Sequence, residues 1–181
     1  MIAEPTETER QNLSSVADVL PSWNAHDIPG VLAFYDENIT WINIALEETY
    51  TGKEQVRAFL AQLFDAFPDL TFEVTYKIAR GNNVAEQWII RGTHRGSFIG
   101  VPATGRRVEI PGMSMVELRD GKFLSDHFYF DSGIALRQMG LLPPLATTRT
   151  PAGRFVLGLV VSGARGVRAA GGLLGPIQFA A

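Results

Sequence analysis

The sequence predicts one α+β domain, in which a strongly curved antiparallel sheet wraps around helices near the N-terminus. Apolar side chains recur at helical spacing in two long segments before Pro68, and after it they alternate with a period of two. With 181 residues, of which 46% are hydrophobic, the chain is long enough for one well-buried core. It is too short to favour two full domains.

Two helices are predicted in the first part of the chain. Residues 10–24 carry an apolar stripe at helical spacing, and Pro21 is expected to kink or end that helix. Asp27 is expected to cap a second, short helix that has Pro29 in its first turn, where a missing N–H costs little.

A short strand, a helix and a meander are predicted to follow. The β-branched and aromatic run at 39–44 is typical of a strand, and the apolar spacing over 53–67 predicts a helix that ends at Pro68. A last short helix is expected at 134–139. The alternating segments that predict the meander lie near 70–79, 84–94, 106–118 and 123–130.

Composition limits the function classes. The formal net charge is −3 and no long basic block precedes residue 149, so the main body of the chain lacks the charge pattern of a nucleic-acid-binding surface. The chain has no cysteine, which excludes disulfides, thiol nucleophiles and thiolate metal sites. The polar N-terminus does not resemble a secretory signal, so we expect the chain to begin near Met1 and to be cytoplasmic.

The predicted domain has a segment outside it at each end. We expect a flexible N-terminus at 1–11, the folded domain at 12–145 and a Gly/Ala/Arg-rich tail at 146–181. The tail carries no acidic residue and its apolar run is too short to span a bilayer. We interpret it as flexible or partly helical, with a weak membrane-surface or partner-binding element as the alternative.

No cofactor is expected. His26, His94 and His127 lack the spacing of metal ligands, and no carboxylate facial triad is apparent. The glycine-rich stretch at 92–105 joins two strands, whereas a dinucleotide-binding loop leads from a strand into a helix. No Gly-x-Ser-x-Gly elbow of a serine hydrolase is present either.

The run QWIIRGTHRGSFIGVPATGRRV at 87–108 has the composition of a hairpin that forms a pocket wall. Together with the turn RDGK at 119–122, it resembles the SnoaL-like polyketide cyclases, often labelled ester cyclases, of the NTF2-like superfamily. The resemblance covers roughly residues 12–143 and includes YTGKEQVRAF, FPDLTFEV and the closing LRQMGLLP.

The resemblance implies a cone-shaped α+β barrel, often dimeric through its sheet, with a pocket between sheet and helices. It also implies ring closure by an intramolecular aldol reaction without metal or cofactor, with an aspartate on the last strand as general acid/base. When the turn at 120–122 anchors the comparison, Tyr129 occupies the position of that aspartate and Ser114 that of its assisting histidine.

The last predicted strand holds the candidate catalytic set. Alternation places His127, Tyr129 and Asp131 on one face, which we expect to line the pocket. His127 is the candidate for proton transfer near neutral pH, with a structural hydrogen bond as the alternative. Tyr129 could donate to an oxyanion or simply pack in the sheet, and Asp131 could act as general acid/base, cap the last helix, or do both.

The candidate substrate-binding residues lie on other strands. Trp41 and Asn43 share one side of the short strand. Trp41 could form a pocket wall or pack in the core. Asn43 could donate a hydrogen bond to a carbonyl or cap the end of the strand. Trp88 shares a face with Glu86 and His94, and the His94 imidazole is expected to be exposed in its turn or to hold that turn against the sheet. Ser114 completes the set.

Three functions remain open at this point. The first is an enzyme that cyclises or isomerises a hydrophobic, carbonyl-bearing small molecule through an enolate. The second is a binding module that keeps the pocket without catalysis, and the third, an epoxide hydrolase, would use Arg91 and Asp131. A homodimer formed through the sheet is the expected assembly.

Overall fold

The structure is a computed structural model that describes residues 4–144, 146, 149–156, 158–159 and 162. The chain divides into two compact units, residues 1–142 and 143–181. Of the tail expected at 146–181, most residues lie outside the described ranges. Among the described residues, no helix has the length and apolar character needed to cross a membrane.

Five helices belong to the first unit among its described residues. They are α1 (Glu7–Asp18), α2 (Leu20–Asn24), α3 (Ile28–Ala33), α4 (Gly52–Ala66) and α5 (Ser132–Gln138). Thr6 and Glu9 form a capping box at the start of α1, so residues 7–11 are helical, although we expected them to be flexible. The expected break near Pro21 and the Asp27 cap of α3 are both observed.

Six strands form one sheet. They are β1 (Tyr35–Asn43), β2 (Glu48–Thr51), β3 (Thr71–Arg80), β4 (Asn83–Thr93), β5 (Arg107–Arg119) and β6 (Lys122–Phe130). Their order is β2-β1-β6-β5-β4-β3, so the predicted meander from β3 to β6 is confirmed. The edge strand β2 was not predicted, and β1 pairs with β6 in parallel, which makes the sheet mixed.

The sheet is curved and unclosed, and the predicted α+β, NTF2-like fold is confirmed. The inner face of the sheet packs against helices through one core of buried apolar side chains. The longest of these helices, α4, packs its apolar stripe of Val56, Phe59, Leu60, Leu63 and Phe64 toward that core. The space left between α4, α5 and the inner face of the sheet is a cavity.

Candidate functional site

A cavity of about 390 Å³ lies between the inner face of the sheet and helices α4 and α5. The aromatic side chains of Trp41, Trp88 and Phe128 form one wall, which we call the aromatic floor. The loop between β4 and β5 forms a second wall through Phe98 and, further along, Ile99 and Val101. The interpretation of this hairpin as a pocket wall is therefore confirmed.

The cavity lining is almost entirely apolar. The polar side chains in the lining are those of Asn43 and Ser132, apart from the indoles of the two tryptophans. No residue with a titratable side chain is among the described residues that line the cavity. Such a site can bind an apolar body strongly and can orient it with few hydrogen bonds.

Asn43 stands at the end of β1 and is only 3% exposed. Its Oδ1 accepts a hydrogen bond from the backbone N–H of Leu46 at 3.3 Å, which fixes the orientation of the amide. The described residues supply no hydrogen-bond partner for its Nδ2, and Asn43 lines the cavity. The amide N–H₂ is thus the group of Asn43 that is free to donate to a ligand.

The aromatic floor is rigidly packed. The rings of Trp88 and Phe128 stack with centroids 4.3 Å apart and an angle of 20° between their planes, and Trp41 meets Phe128 edge-on at 5.7 Å. The indole N–H of Trp88 donates to Ser114 Oγ at 3.1 Å, on the side away from the cavity. Rings held in this way give a ligand a flat wall at low entropic cost.

The candidate catalytic set lies on the opposite face of the sheet. Alternation along β6 separates His127, Tyr129 and Asp131 from Asp126 and Phe128 as predicted, but His127 and Tyr129 point outward. They line a shallow depression on the outer face, where Tyr129 is 44% exposed. Our expectation that these three side chains line the pocket was wrong.

The reason lies in the register of β6. The pairing of β5 and β6 shifts between Glu117 and Leu118, so that both Phe123 and Phe128 reach the inner face. Burying two large aromatic rings outweighs any tendency of the polar residues between them to face inward. Asp131, beyond the end of β6, caps α5 by accepting from the N–H of Ile134 at 3.0 Å.

Two of the predicted substrate-binding residues lie behind the cavity wall. His94 is fully buried, stacks on Phe67 at 5.1 Å, and its Nδ1 lies 3.2 Å from Thr104 Oγ1. Burial lowers its pKa. Of the two expectations for His94, the exposed imidazole was wrong, whereas a side chain that holds its turn agrees with these contacts. Neither His94 nor Ser114 is part of the lining, whereas Trp41, Asn43 and Trp88 are.

Two buried carboxyls lie beneath the aromatic floor. Glu86 and Asp126 are 6% and 5% exposed. Burial, together with the nearby Asp126 carboxyl, raises the pKa of Glu86 to about 8, and Lys77 acts weakly against this. Burial raises the pKa of Asp126 to about 7, although the Ser114 hydroxyl and the Trp41 indole oppose the change.

The residues required for epoxide hydrolysis are not brought together. Arg91 lies on an exposed surface, where it bonds to Glu73 at 2.6 Å and to Glu109 at 2.8 Å. Neither it nor Asp131 lines the cavity. Among the described residues, no group of three or more His, Cys, Asp or Glu side chains is arranged as a metal site.

A family profile described as SnoaL-like polyketide cyclase matches residues 16–139. The chain belongs to the SnoaL-like polyketide cyclase family. The resemblance seen in the sequence is thus confirmed, and it covers the elements that build the cavity. Membership supports a role in the cyclisation, isomerisation or binding of a small molecule.

Several solved structures are similar to this SnoaL-like protein. A candidate SnoaL-like polyketide cyclase from Jannaschia sp. CCS1 is 25% identical with a TM-score of 0.71, and the match covers 78% of this chain and 99% of that chain. AclR, a candidate hydroxylase from Streptomyces galilaeus, is 24% identical with a TM-score of 0.66, covering 75% and 89%. IdmH, a candidate polyketide cyclase from Streptomyces antibioticus, is 24% identical with a TM-score of 0.63, covering 72% and 99%. No curated protein matches the chain.

Neither Ser132 nor the buried pair Glu86 and Asp126 of this SnoaL-like protein was predicted from the sequence as part of the site. A signal for the pair was present in β6, because Asp126 alternates with Phe128 and Phe130, and the more apolar face of a strand is the one that faces a core. Ser132 gave no comparable signal, since its place at the cavity depends on how α5 packs against the sheet.

Proposed function

We propose that this SnoaL-like protein binds one hydrophobic, carbonyl-bearing small molecule in the cavity and promotes its cyclisation or isomerisation through an enolate. The cavity volume of about 390 Å³ lies in the range typical of small-molecule sites. Its apolar lining favours a ligand with fused or linked carbon rings, or a carbon chain that folds into one.

The observation that carries this proposal is the placement of the Asn43 amide. Its oxygen is held by Leu46, so its N–H₂ is the donor presented to the cavity. A carbonyl oxygen accepts such a bond, and the bond strengthens when enolisation places negative charge on that oxygen. Because the surroundings are apolar, this interaction is stronger than it would be in water.

Catalysis at this site would come from orientation and from oxyanion stabilisation. No titratable side chain lines the described cavity, so the protons of an enolate route would move between groups of the substrate itself or through water. Holding two reactive ends of a flexible molecule together removes much of the entropic barrier to ring closure. The Asn43 donor would contribute on the order of a hundredfold in rate.

The second candidate is a binding module without turnover. The same absence of a titratable group in the described lining favours it, because general acid–base catalysis needs a positioned proton donor or acceptor. Both candidates require the same ligand class and the same contact with Asn43. They differ only in what happens to a bound ligand that is able to react.

Binding can be tested with a matched pair of probes. Methyl naphthyl ketone carries the carbonyl, and isopropenylnaphthalene has the same shape with a CH₂ group in place of the carbonyl oxygen. We expect both to raise the melting temperature and the ketone to bind more tightly. Absence of any shift with either probe, up to the solubility limit, would contradict the ligand class.

Turnover can be tested with an aryl triketone, which closes a ring by intramolecular aldol reaction with loss of water. Product analysis by mass spectrometry compares the protein with buffer alone. Faster ring closure that depends on Asn43 supports the enzyme, whereas binding without faster closure supports the module. A rate increase that is unchanged in Asn43→Leu would argue against the proposed oxyanion contact.

We also propose a homodimer formed through the outer face of the sheet. Two rows of side chains cross this face, one with Tyr76, Met113 and Tyr129 and the next with Ile78 and Met115. All five are between 44% and 62% exposed. A contiguous apolar patch of this kind is typical of an interaction surface, and a second copy would cover it.

The dimer is tested by sedimentation. Met113→Lys places a charge near the middle of the patch and should shift a dimer toward monomer at micromolar concentration. Glu117→Lys, on the same strand, is the matched control and should leave the mass unchanged. A monomeric wild type would overturn the dimer proposal without affecting the cavity.

A further inference from the structure

A small void lies beneath the aromatic floor, on the side away from the cavity. Its volume is about 20 Å³. The polar side chains that line it are Glu86, Asp126 and Tyr35, while the rest of the lining is apolar and includes Phe128 of the floor. A void of this size holds one water molecule.

Both acids present an unpaired oxygen in this buried region. Glu86 Oε2 and Asp126 Oδ1 are buried and have no hydrogen-bond partner among the described residues. An unpaired buried polar atom is strongly unfavourable, and such atoms are usually satisfied by an ordered water. The two carboxyls and the Tyr35 hydroxyl supply the two to four polar contacts that a buried water needs.

The acids come together because of their positions in the sheet. Glu86 on β4 pairs with Ser114 on β5, and Asp126 on β6 pairs with Val116 on β5. Ser114 and Val116 are both buried on the inner face, and both are short. The longer acidic side chains on either side can therefore approach each other over β5.

Asp126 is also connected to the cavity. Ser114 and the Trp41 indole lie close enough to lower the pKa of its carboxyl, against the larger effect of burial. Ser114 in turn accepts the indole N–H of Trp88 at 3.1 Å. Trp41 lies opposite Asp126 in the β1–β6 pair, and Trp41 Nε1 and Asp126 Oδ1 both lack a hydrogen-bond partner among the described residues. Both indoles of the aromatic floor therefore lie near this one carboxyl, Trp41 as its neighbour across the strands and Trp88 through its bond to Ser114.

We propose that Asp126 is a positioning residue for the ligand cavity. With one water bound between it and Glu86, it fixes the indoles of Trp41 and, through Ser114, Trp88. The indoles in turn set the shape of the aromatic floor. The effect on ligand affinity rests on the proposed function, whereas the water and the indole positions do not.

The protonation state of Glu86 and Asp126 decides how firmly the indoles of Trp41 and Trp88 are held. The groups that face it are the Tyr35 phenol on β1 and Lys77 on β3, whose Nζ is already bonded to the Leu13 carbonyl at 2.7 Å. Burial raises the pKa of Tyr35 well above its ordinary value, so this phenol stays neutral. At neutral pH and below, a carboxylic proton can be shared across the water. At higher pH two carboxylates face each other and repel.

The test uses Asp126→Asn and Asp126→Leu, with the surface change Asp36→Asn as a matched control. One readout is acrylamide quenching of tryptophan fluorescence in the ligand-free protein, and the other is the Kd of methyl naphthyl ketone. We expect Asp126→Leu to increase quenching and to raise the Kd by about tenfold, which corresponds to about 1.4 kcal/mol. Asp126→Asn, which can still donate and accept, should raise the Kd less. We expect the wild type to lose affinity above neutral pH, and Asp126→Asn should remove that loss.

The outcomes separate this proposal from the proposed function. Unchanged quenching and unchanged Kd in Asp126→Leu would overturn it. If Asp126→Leu does not fold, Ser114→Ala breaks the link to Trp88 and must increase quenching. If the wild type does not bind the ketone, the proposed function fails while the quenching result still decides this one. A high-resolution crystal structure without a water in contact with Glu86 and Asp126 would also overturn it.

Discussion

The ring of Phe128 stacks on the indole of Trp88, 4.3 Å away, and the pair closes the cavity toward the sheet. The buried carboxyls of Glu86 and Asp126 lie behind this layer and do not line the cavity. The polar side chains that a ligand in the cavity can reach are therefore the neutral groups of Asn43 and Ser132. In our proposal, the acids act on the shape of the site from outside it.

Gly112 controls the position of Trp88. It lies directly opposite Trp88 in the β4–β5 pair, and a Cβ atom there would overlap the indole ring. We expect Gly112→Ala to displace the indole, to lower stability by about 1–3 kcal/mol and to raise the Kd of methyl naphthyl ketone at least tenfold. Urea unfolding and calorimetry measure the two effects. Glu117→Ala, exposed on the same strand, should change neither, and a Gly112→Ala protein with wild-type affinity would contradict the geometry.

Stability should fall as pH rises because of the buried acids. The folded protein holds the Glu86 proton up to about pH 8, while the unfolded chain releases it near its ordinary value of 4.5. The stabilising contribution is thus fully present below that ordinary value and is lost as pH rises through the folded pKa. Urea unfolding at about pH 5, 7 and 9 should show this decline, and Glu86→Gln should flatten it. If stability declines equally steeply in Glu86→Gln, other groups cause the decline. The surface change Glu54→Gln is the control and should leave the decline as it is in the wild type.

Gly96 fixes the loop that forms one cavity wall. The backbone N–H groups of Arg95 and Gly96 both donate to the Ala66 carbonyl at the end of α4, at 2.8 and 3.0 Å. A Cβ at Gly96 would lie 2.7 Å from the Asp65 carbonyl oxygen, which is backbone and cannot easily move. We expect Gly96→Ala to cost about 1–3 kcal/mol by chemical denaturation. Ser97→Ala, the exposed neighbour, should cost less than about 0.5 kcal/mol, and equal costs would refute the contact.

His127 and Tyr129 should not affect ligand binding in the cavity. Both lie on the outer face of the sheet, separated from the ligand by the backbone of β6. His127→Ala and Tyr129→Phe are expected to keep the Kd of methyl naphthyl ketone within about twofold, which is less than about 0.5 kcal/mol. Isothermal titration checks this directly. A tenfold loss in either variant would mean that the ligand binds on the outer face.

Most of the fold could be predicted from the sequence because its elements have strong periodicity. The helices and the four-strand meander match their predicted positions within a few residues. The edge strand β2 could not be predicted, since residues 48–51 have no apolar alternation and are held by pairing with β1. The parallel contact between β1 and β6 is a long-range relation that no local pattern encodes.

The candidate site was predicted only in part. Trp41, Asn43 and Trp88 were placed correctly because each has a clear side on its strand. The face of β6 that points inward was predicted wrongly. The prediction followed the polar residues His127 and Tyr129, whereas the burial of large rings such as Phe128 decides which face points inward. His94 was expected either to be exposed in a glycine-rich turn or to hold that turn, and the second is observed, because the turn folds back on α4 and buries the imidazole.

We propose that Asn43 recognises a carbonyl oxygen inside an apolar cavity. The most direct measurement is a cycle of four dissociation constants, for methyl naphthyl ketone and isopropenylnaphthalene with wild type and Asn43→Leu. Any structural effect of the substitution acts on both probes and cancels. We predict that the wild type prefers the ketone by about tenfold, and that Asn43→Leu loses this preference. The same preference in both proteins, or none in the wild type, would contradict recognition of the carbonyl by Asn43.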